Sequence, residues 1–141
     1  MYPAMPSVES PLSGSCACGA VRFEVTAPFT TAGYCHCTRC QRRSGAPWSM
    51  NAMAPAGAVR VVAGLSEIRT WRPPDGMPKS FCAICGGHVF SGSLGGPMGV
   101  RIGALHGDPE IAPQWRQWLS SAPPWAPIPD DGLPRFAQSR V

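Results

Sequence analysis

Apolar and polar residues alternate between positions 20 and 25: Val21, Phe23 and Val25 fall on one side, Arg22 and Glu24 on the other. A two-residue period is that of a half-buried strand. Residues 59–63 and 68–72 read as two further strands, with Gly64 in the short link between them. Residues 88–91 read as a strand leaving the Gly86-Gly87 turn. In residues 100–105, Val100, Ile102 and Ala104 alternate with Arg101 and Gly103, which predicts one more strand. Helical signals are weak. Thr38 suits the cap of one short turn through Arg43, ended by Ser44-Gly45. Residues 114–119 place Trp115 and Trp118 three apart, which admits a short helix or an edge strand. Residues 123–134 are proline-rich and are expected to run extended over the surface. No repeat of solenoid period is present. The expected class is mainly β, with short antiparallel strands in one domain: a flexible tail over residues 1–13, the domain over 14–137 and a C-terminal tail over 138–141.

Composition supports that picture. A chain of 141 residues with 14% charged and 44% hydrophobic residues is globular in composition and long enough for one core. Its 16 glycines and 17 prolines favour turns and short elements over long helices. The formal net charge of +4 is too modest to predict nucleic-acid binding. Eleven of the twelve basic residues are arginine, whose fork grips a carboxylate with two bonds. That suits an anionic small-molecule substrate. Met1 to Pro6 lack the basic start and apolar run of a signal peptide, and the longest uncharged stretch, residues 80–100, holds six glycines. A cytoplasmic protein without a membrane segment is expected.

The seven cysteines change the picture most. An odd number without an export signal argues against a disulfide framework. They fall into three groups: Cys16 and Cys18; Cys35, Cys37 and Cys40; Cys82 and Cys85. Residues i and i+2 of an extended chain project to one side, so a Cys-x-Cys pair aims both sulfurs at one point. A Cys-x-x-Cys pair does so across a tight turn. Zinc binds thiolates tetrahedrally at about 2.3 Å, and structural sites usually have four protein ligands. Cys16, Cys18, Cys82 and Cys85 suffice for one closed site. Cys35, Cys37 and Cys40 suffice for a second with one position open, the mark of a catalytic or ligand-binding zinc. Other partitions remain open at this stage. The 82/85 pair can join members of the triad, and His36 or His88 can complete a site. His36 points away from a metal shared by Cys35 and Cys37 and is a poor ligand; His106 has no ligand spacing.

The residues around the cysteines carry a resemblance. Gly14-Ser15-Cys16-Ala17-Cys18-Gly19-Ala20-Val21 opens the domain, followed by Cys35-His36-Cys37-Thr38-Arg39-Cys40-Gln41-Arg42-Arg43-Ser44-Gly45-Ala46-Pro47. Phe81-Cys82-Ala83-Ile84-Cys85-Gly86, Pro124-Trp125 and Asp131-Gly132-Leu133-Pro134-Arg135-Phe136 complete the pattern. From about Ser13 to Phe136 the chain resembles the glutathione-dependent formaldehyde-activating enzyme (GFA) family, which also includes centromere protein V. The resemblance implies small twisted antiparallel sheets holding two zinc ions. It implies Cys16, Cys18, Cys82 and Cys85 at a structural zinc and Cys35, Cys37 and Cys40 at a catalytic one. It implies a carbon–sulfur lyase that joins glutathione and formaldehyde into S-hydroxymethylglutathione. Family members often carry a histidine before the last tryptophan; here Gln114-Trp115-Arg116-Gln117-Trp118 has none.

The chemistry is coherent with that expectation. A thiol on zinc loses its proton and becomes a nucleophile at neutral pH. Three thiolates leave zinc with a net negative charge, so thiol activation is expected to outweigh carbonyl polarisation. Arg39, Arg42 and Arg43 lie beside the triad as candidate contacts for a substrate carboxylate, and Trp48 as a candidate pocket wall. Each also reads as a solvated basic turn or a core aromatic. No Ser-His-Asp constellation is visible. The expected partners are a small thiol such as glutathione and an aldehyde. A non-enzymatic zinc module that binds protein or nucleic acid, and a thiol carrier without turnover, are the competing readings. No oligomeric state follows from the sequence.

Overall fold

A computed structural model describes residues 5–141. Ten strands and one α-helix follow one another as β1 (Leu12–Ser15), β2 (Arg22–Val25), β3 (Thr31–Cys35), α1 (Thr38–Ser44), β4 (Ser49–Ala54), β5 (Val59–Ala63), β6 (Ile68–Trp71), β7 (Lys79–Cys82), β8 (His88–Ser91), β9 (Met98–Arg101) and β10 (Arg116–Gln117). They form a three-stranded sheet of order β1-β2-β5 and a seven-stranded sheet of order β10-β3-β4-β9-β8-β7-β6. Every strand pair is antiparallel except β10 with β3. The mainly β class expected from the patterning is the class observed.

The core lies between the two sheets. Val21, Phe23, Val25 and Val59 from one side meet Ala52, Ala54, Val89, Phe90, Met98 and Val100 from the other. Phe23 and Phe90 cross edge to face with ring centres 5.7 Å apart. Because side chains alternate across a strand, burying Ala52 and Ala54 turns Ser49, Asn51 and Met53 of β4 to the opposite face. The register extends that open face across the sheet. Cys35 pairs with Ser49, Asn51 with Arg101, Gly99 with Ser91, and Ser91 with Lys79. One face of the large sheet is therefore apolar core, and the other carries Cys35, Ser49, Asn51, Arg101 and Lys79.

The strand expected over residues 100–105 is corrected. β9 ends at Arg101, and Ile102–Ala104 form a 3-10 turn closed by the Leu105 amide on the Ile102 carbonyl. The chain there leaves the large sheet and bridges to the small one, with Leu105 opposite Gly14. Residues 114–119 resolve as the edge strand β10, held parallel to β3. β1 begins at Leu12, inside the stretch expected as a tail, and residues 1–4 of that tail lie outside the described residues. Within residues 138–141, the Gln138 carbonyl accepts from the Trp118 amide and the Arg140 amide donates to Gln117. No described helix is long and apolar enough to cross a membrane.

Two glycines are required by geometry. Gly45 caps α1 in the left-handed region at φ 69°. Gly33 in β3 lies directly under the Trp115 ring, where a Cβ would overlap ring carbons. Trp115 is fixed from its other end by its Nε1 donating to the Thr31 hydroxyl at 2.8 Å. Gly33→Ala is therefore expected to destabilise the fold by about 1–3 kcal/mol through overpacking. Gly103→Ala meets no atom within 4 Å and is expected to leave stability within about 0.5 kcal/mol. Urea midpoints of the two variants check both expectations.

Candidate metal centres

The structure brings the seven cysteines into two groups. The sulfurs of Cys16, Cys18, Cys82 and Cys85 lie within 4.8 Å of one another, and so do those of Cys35, Cys37 and Cys40. No cysteine is in a disulfide. Neither group includes a histidine, so the partitions that mix the pairs with the triad, or enlist His36 or His88, do not form.

The first group sits where the two sheets meet. Cys16 and Cys18 lie in the turn between β1 and β2, closed by the Gly19 amide on the Cys16 carbonyl. Cys82 ends β7, and Cys85 lies in the turn before β8, closed by the Gly86 amide on the Cys82 carbonyl. Sulfurs separate by 3.6 Å (Cys16 to Cys18) and 3.8 Å (Cys18 to Cys82). Four thiolates placed tetrahedrally at ~2.3 Å from one ion stand about 3.8 Å apart. Backbone amides donate to three of the sulfurs: Val21 to Cys16 at 3.3 Å, Ile84 to Cys82 at 3.4 Å and Gly87 to Cys85 at 3.4 Å. Such bonds favour the thiolate form that a metal needs. The amides of Cys18 and Gly87 bring Cys85 down to about 6. The Ala20 amide favours the Cys18 thiolate, yet burial and the three neighbouring sulfurs push that thiol up to about 11. Neighbouring sulfurs compete for one negative charge, and a divalent cation removes that competition.

The second group forms at one end of β3. Cys35 closes the strand, Cys37 is the N-cap of α1 with its sulfur accepting from the Cys40 amide at 3.3 Å, and Cys40 lies in the first turn. The same competition is sharper here. Hydrogen bonding to Cys37 and Cys40, with burial, drives the Cys35 thiol far above its ordinary value. Hydrogen bonds from Cys35, Cys37 and Ser49, with the Arg101 charge, hold Cys40 far below it. Arg101 donates to Asn51 at 3.0 Å and Asn51 to Ser49 at 3.1 Å. A polar chain thus runs along the open face of the sheet to the triad.

Between the two cysteine groups opens a cleft of about 770 Å³, with Cys16 and Gly87 of the four-sulfur group in its wall at one side and Ser49, next to the triad, at the other. Its walls include Arg43, Trp48, Ser49, His88 and Arg101, with Ser15 and His106 joined by a 2.8 Å hydrogen bond at the other end. The triad cysteines do not line it; Ser49, which faces Cys40, is the wall residue nearest them in the register. The three arginines of the 39–43 turn separate. Arg39 is tied to Asp75 at 2.7 Å and lies over the Trp71 ring. Arg42 is exposed and off the cleft. Arg43 enters the cleft wall. Trp48 is both wall and packing residue, edge-on to Tyr34 with ring centres 6.0 Å apart and tilted against His36 at 5.3 Å.

His36 points away from the sulfurs, as its position between Cys35 and Cys37 predicts. It is buried against Arg116, whose guanidinium stacks on Tyr34 at 4.1 Å and pairs with Asp131 at 2.7 Å. Burial and the Arg116 charge lower the pKa of His36, which keeps the ring neutral. Sequence reasoning missed Ser49, Asn51 and Arg101 as neighbours of the triad. The alternation around Val100 put Arg101 on the polar side, but only the pairing of β3, β4 and β9 shows what lies beside it.

Residues 11–121 match the family described as glutathione-dependent formaldehyde-activating enzyme. The chain belongs to the GFA family. No curated protein matches it. A Rhodobacter sphaeroides protein of known crystal structure is similar in fold, with a TM-score of 0.57 and 25% identity over 88% of this chain and 98% of that one. In this GFA-family chain both cysteine groups can hold a metal ion. Metal analysis of freshly isolated protein is expected to give two ions per chain. Cys37→Ser is expected to lose one and stay folded, whereas Cys85→Ser loses cooperative thermal unfolding; equal damage from both substitutions contradicts the division.

Proposed function

We propose that the protein is a zinc-dependent carbon–sulfur lyase that joins a small thiol such as glutathione to an aldehyde, formaldehyde being the family's namesake. The observation that carries this reading is the three-sulfur cluster, one sulfur short of a closed site and joined through Ser49 to a cleft wall, in a chain of this family. Cys16, Cys18, Cys82 and Cys85 would hold a structural zinc. Cys35, Cys37 and Cys40 would hold the catalytic one, whose fourth position is left to the substrate. When bound there, zinc supplies a positive centre that acidifies a thiol.

The reaction itself is simple. The thiol gives up its proton, its sulfur bonds to the aldehyde carbon, the C=O π bond opens, and the new alkoxide takes a proton to become the hydroxyl. The residues around the triad supply three things. The Arg101–Asn51–Ser49 chain fixes the cluster from the sheet side and balances its negative charge. Trp48 shields one flank of the cleft from water, and its packing against Tyr34 and His36 keeps that wall rigid. His88, brought down to about 4 by burial and by Arg43 and Arg101, is neutral at pH 7 and offers both a hydrogen-bond donor and an acceptor in the cleft. The nucleic-acid reading loses its support at Arg39, whose charge is taken by Asp75.

Thiols add to formaldehyde unaided, so the decisive comparison is with the uncatalysed rate. Exchange NMR between labelled formaldehyde and S-hydroxymethylglutathione is expected to show interconversion at least about tenfold faster with zinc-loaded protein, a barrier lowered by ~1.4 kcal/mol or more. Cys37→Ser should return the rate to background. A zinc-loaded protein that binds glutathione without changing the rate would be a thiol carrier, and the enzymatic reading would be wrong.

A further inference from the structure

The open face of the large sheet carries more positive charge than the cysteine triad can balance. Arg101 and Lys79 project from it by register, and α1 brings Arg43 over it. Among the described residues the ion pairs are Arg39–Asp75, Arg60–Glu24 and Arg116–Asp131. No described carboxylate lies within 4 Å of Arg43, Arg101 or Lys79. Arg43 also keeps its Nη2 buried with no hydrogen-bond partner. Arg43 and Arg101 each weaken the charged form of Lys79, and Arg101 does so for Arg43, after burial in both cases. Three thiolates and a divalent ion together carry a single negative charge, against three cationic side chains. Two of the three, Arg43 and Arg101, line the cleft.

The geometry points to a carboxylate subsite formed by Arg43 and Arg101 in the cleft wall, with His88 beside them, that takes the acid group of the thiol substrate and makes the protein selective for carboxylate-bearing thiols over neutral ones. This inference rests on the function proposed above and adds to it where the rest of the substrate binds. Arg101 is suited to the role because Asn51 holds one of its nitrogens and orients the fork. Arg43 is suited because it lines the cleft with no described carboxylate paired to it. Lys79 lies outside the cleft wall and acts through its charge alone.

The test uses S-methylglutathione, which keeps both carboxylates and has no free thiol, titrated calorimetrically into zinc-loaded protein. It is expected to bind wild type well and its diethyl ester poorly. Arg43→Gln and Arg101→Gln are each expected to weaken the acid by about 10- to 100-fold, the loss of a charge-assisted hydrogen bond, and to leave the ester unchanged. Arg101→Lys keeps a charge beside the sulfurs without the fork and should weaken the acid by a smaller factor. Equal affinity for acid and ester in wild type overturns the subsite, as does unchanged affinity across the Gln and Lys variants. A protein that binds S-methylglutathione with this arginine dependence yet leaves adduct formation at background keeps the subsite and refutes the lyase. One that accelerates adduct formation equally for glutathione and its diethyl ester does the reverse.

Discussion

Four sulfurs meet where two sheets of this small protein touch, and the rest of the structure depends on that meeting. The turn after β1 belongs to the three-stranded sheet and the turn after β7 to the seven-stranded one. Cys16 and Cys18 come from the first, Cys82 and Cys85 from the second. The contact joins residues more than sixty positions apart, and closing such a loop without a cross-link is entropically costly. The buried core itself includes two of the four cysteines, Cys16 and Cys82. A metal held by those four thiolates would convert its binding energy into folding energy.

The second centre depends on the first through the sheet. Fixing the β7–β8 turn fixes β8, then β9 and β4 by register, and so sets Arg101, Asn51 and Ser49 against Cys35. The same alternation that buries Ala52 and Val100 puts the polar chain on the opposite face. The apolar core and the cysteine triad thus divide one sheet between its two sides. Behind β3, Arg116, His36, Tyr34 and Asp131 form a separate packed cluster that holds the strand from the side away from the sulfurs.

The cysteine groups were legible in the sequence because Cys-x-Cys and Cys-x-x-Cys act locally: two residues of spacing already aim two sulfurs at one point. α1 was legible for the same reason, from its cap and its terminal glycine. β3 and β4 were not. Thr31-Ala32-Gly33-Tyr34-Cys35 has no apolar alternation, because Gly33 makes room for Trp115 and Cys35 is a ligand candidate. Ser49-Met50-Asn51-Ala52-Met53-Ala54 hides its period because Ala52 and Ala54 on the core side are small while Met53 on the outward side is apolar. The separation of Arg43 from Arg39 and Arg42 was also hidden, since it depends on Asp75 lying across from Arg39 and Arg101 across from Arg43. Those are long-range placements that no local pattern encodes.

The central claim is that two metal centres of unequal role share one chain, and cobalt reports on both. Metal-free protein is titrated with Co²⁺ while sulfur-to-cobalt charge transfer and near-ultraviolet circular dichroism are followed together, and glutathione is then added. Two equivalents are expected to bind, tertiary structure is expected to return with the four-sulfur site, and glutathione should alter the visible spectrum of one ion only. A single equivalent, or a glutathione response spread over both ions or absent from both, contradicts it.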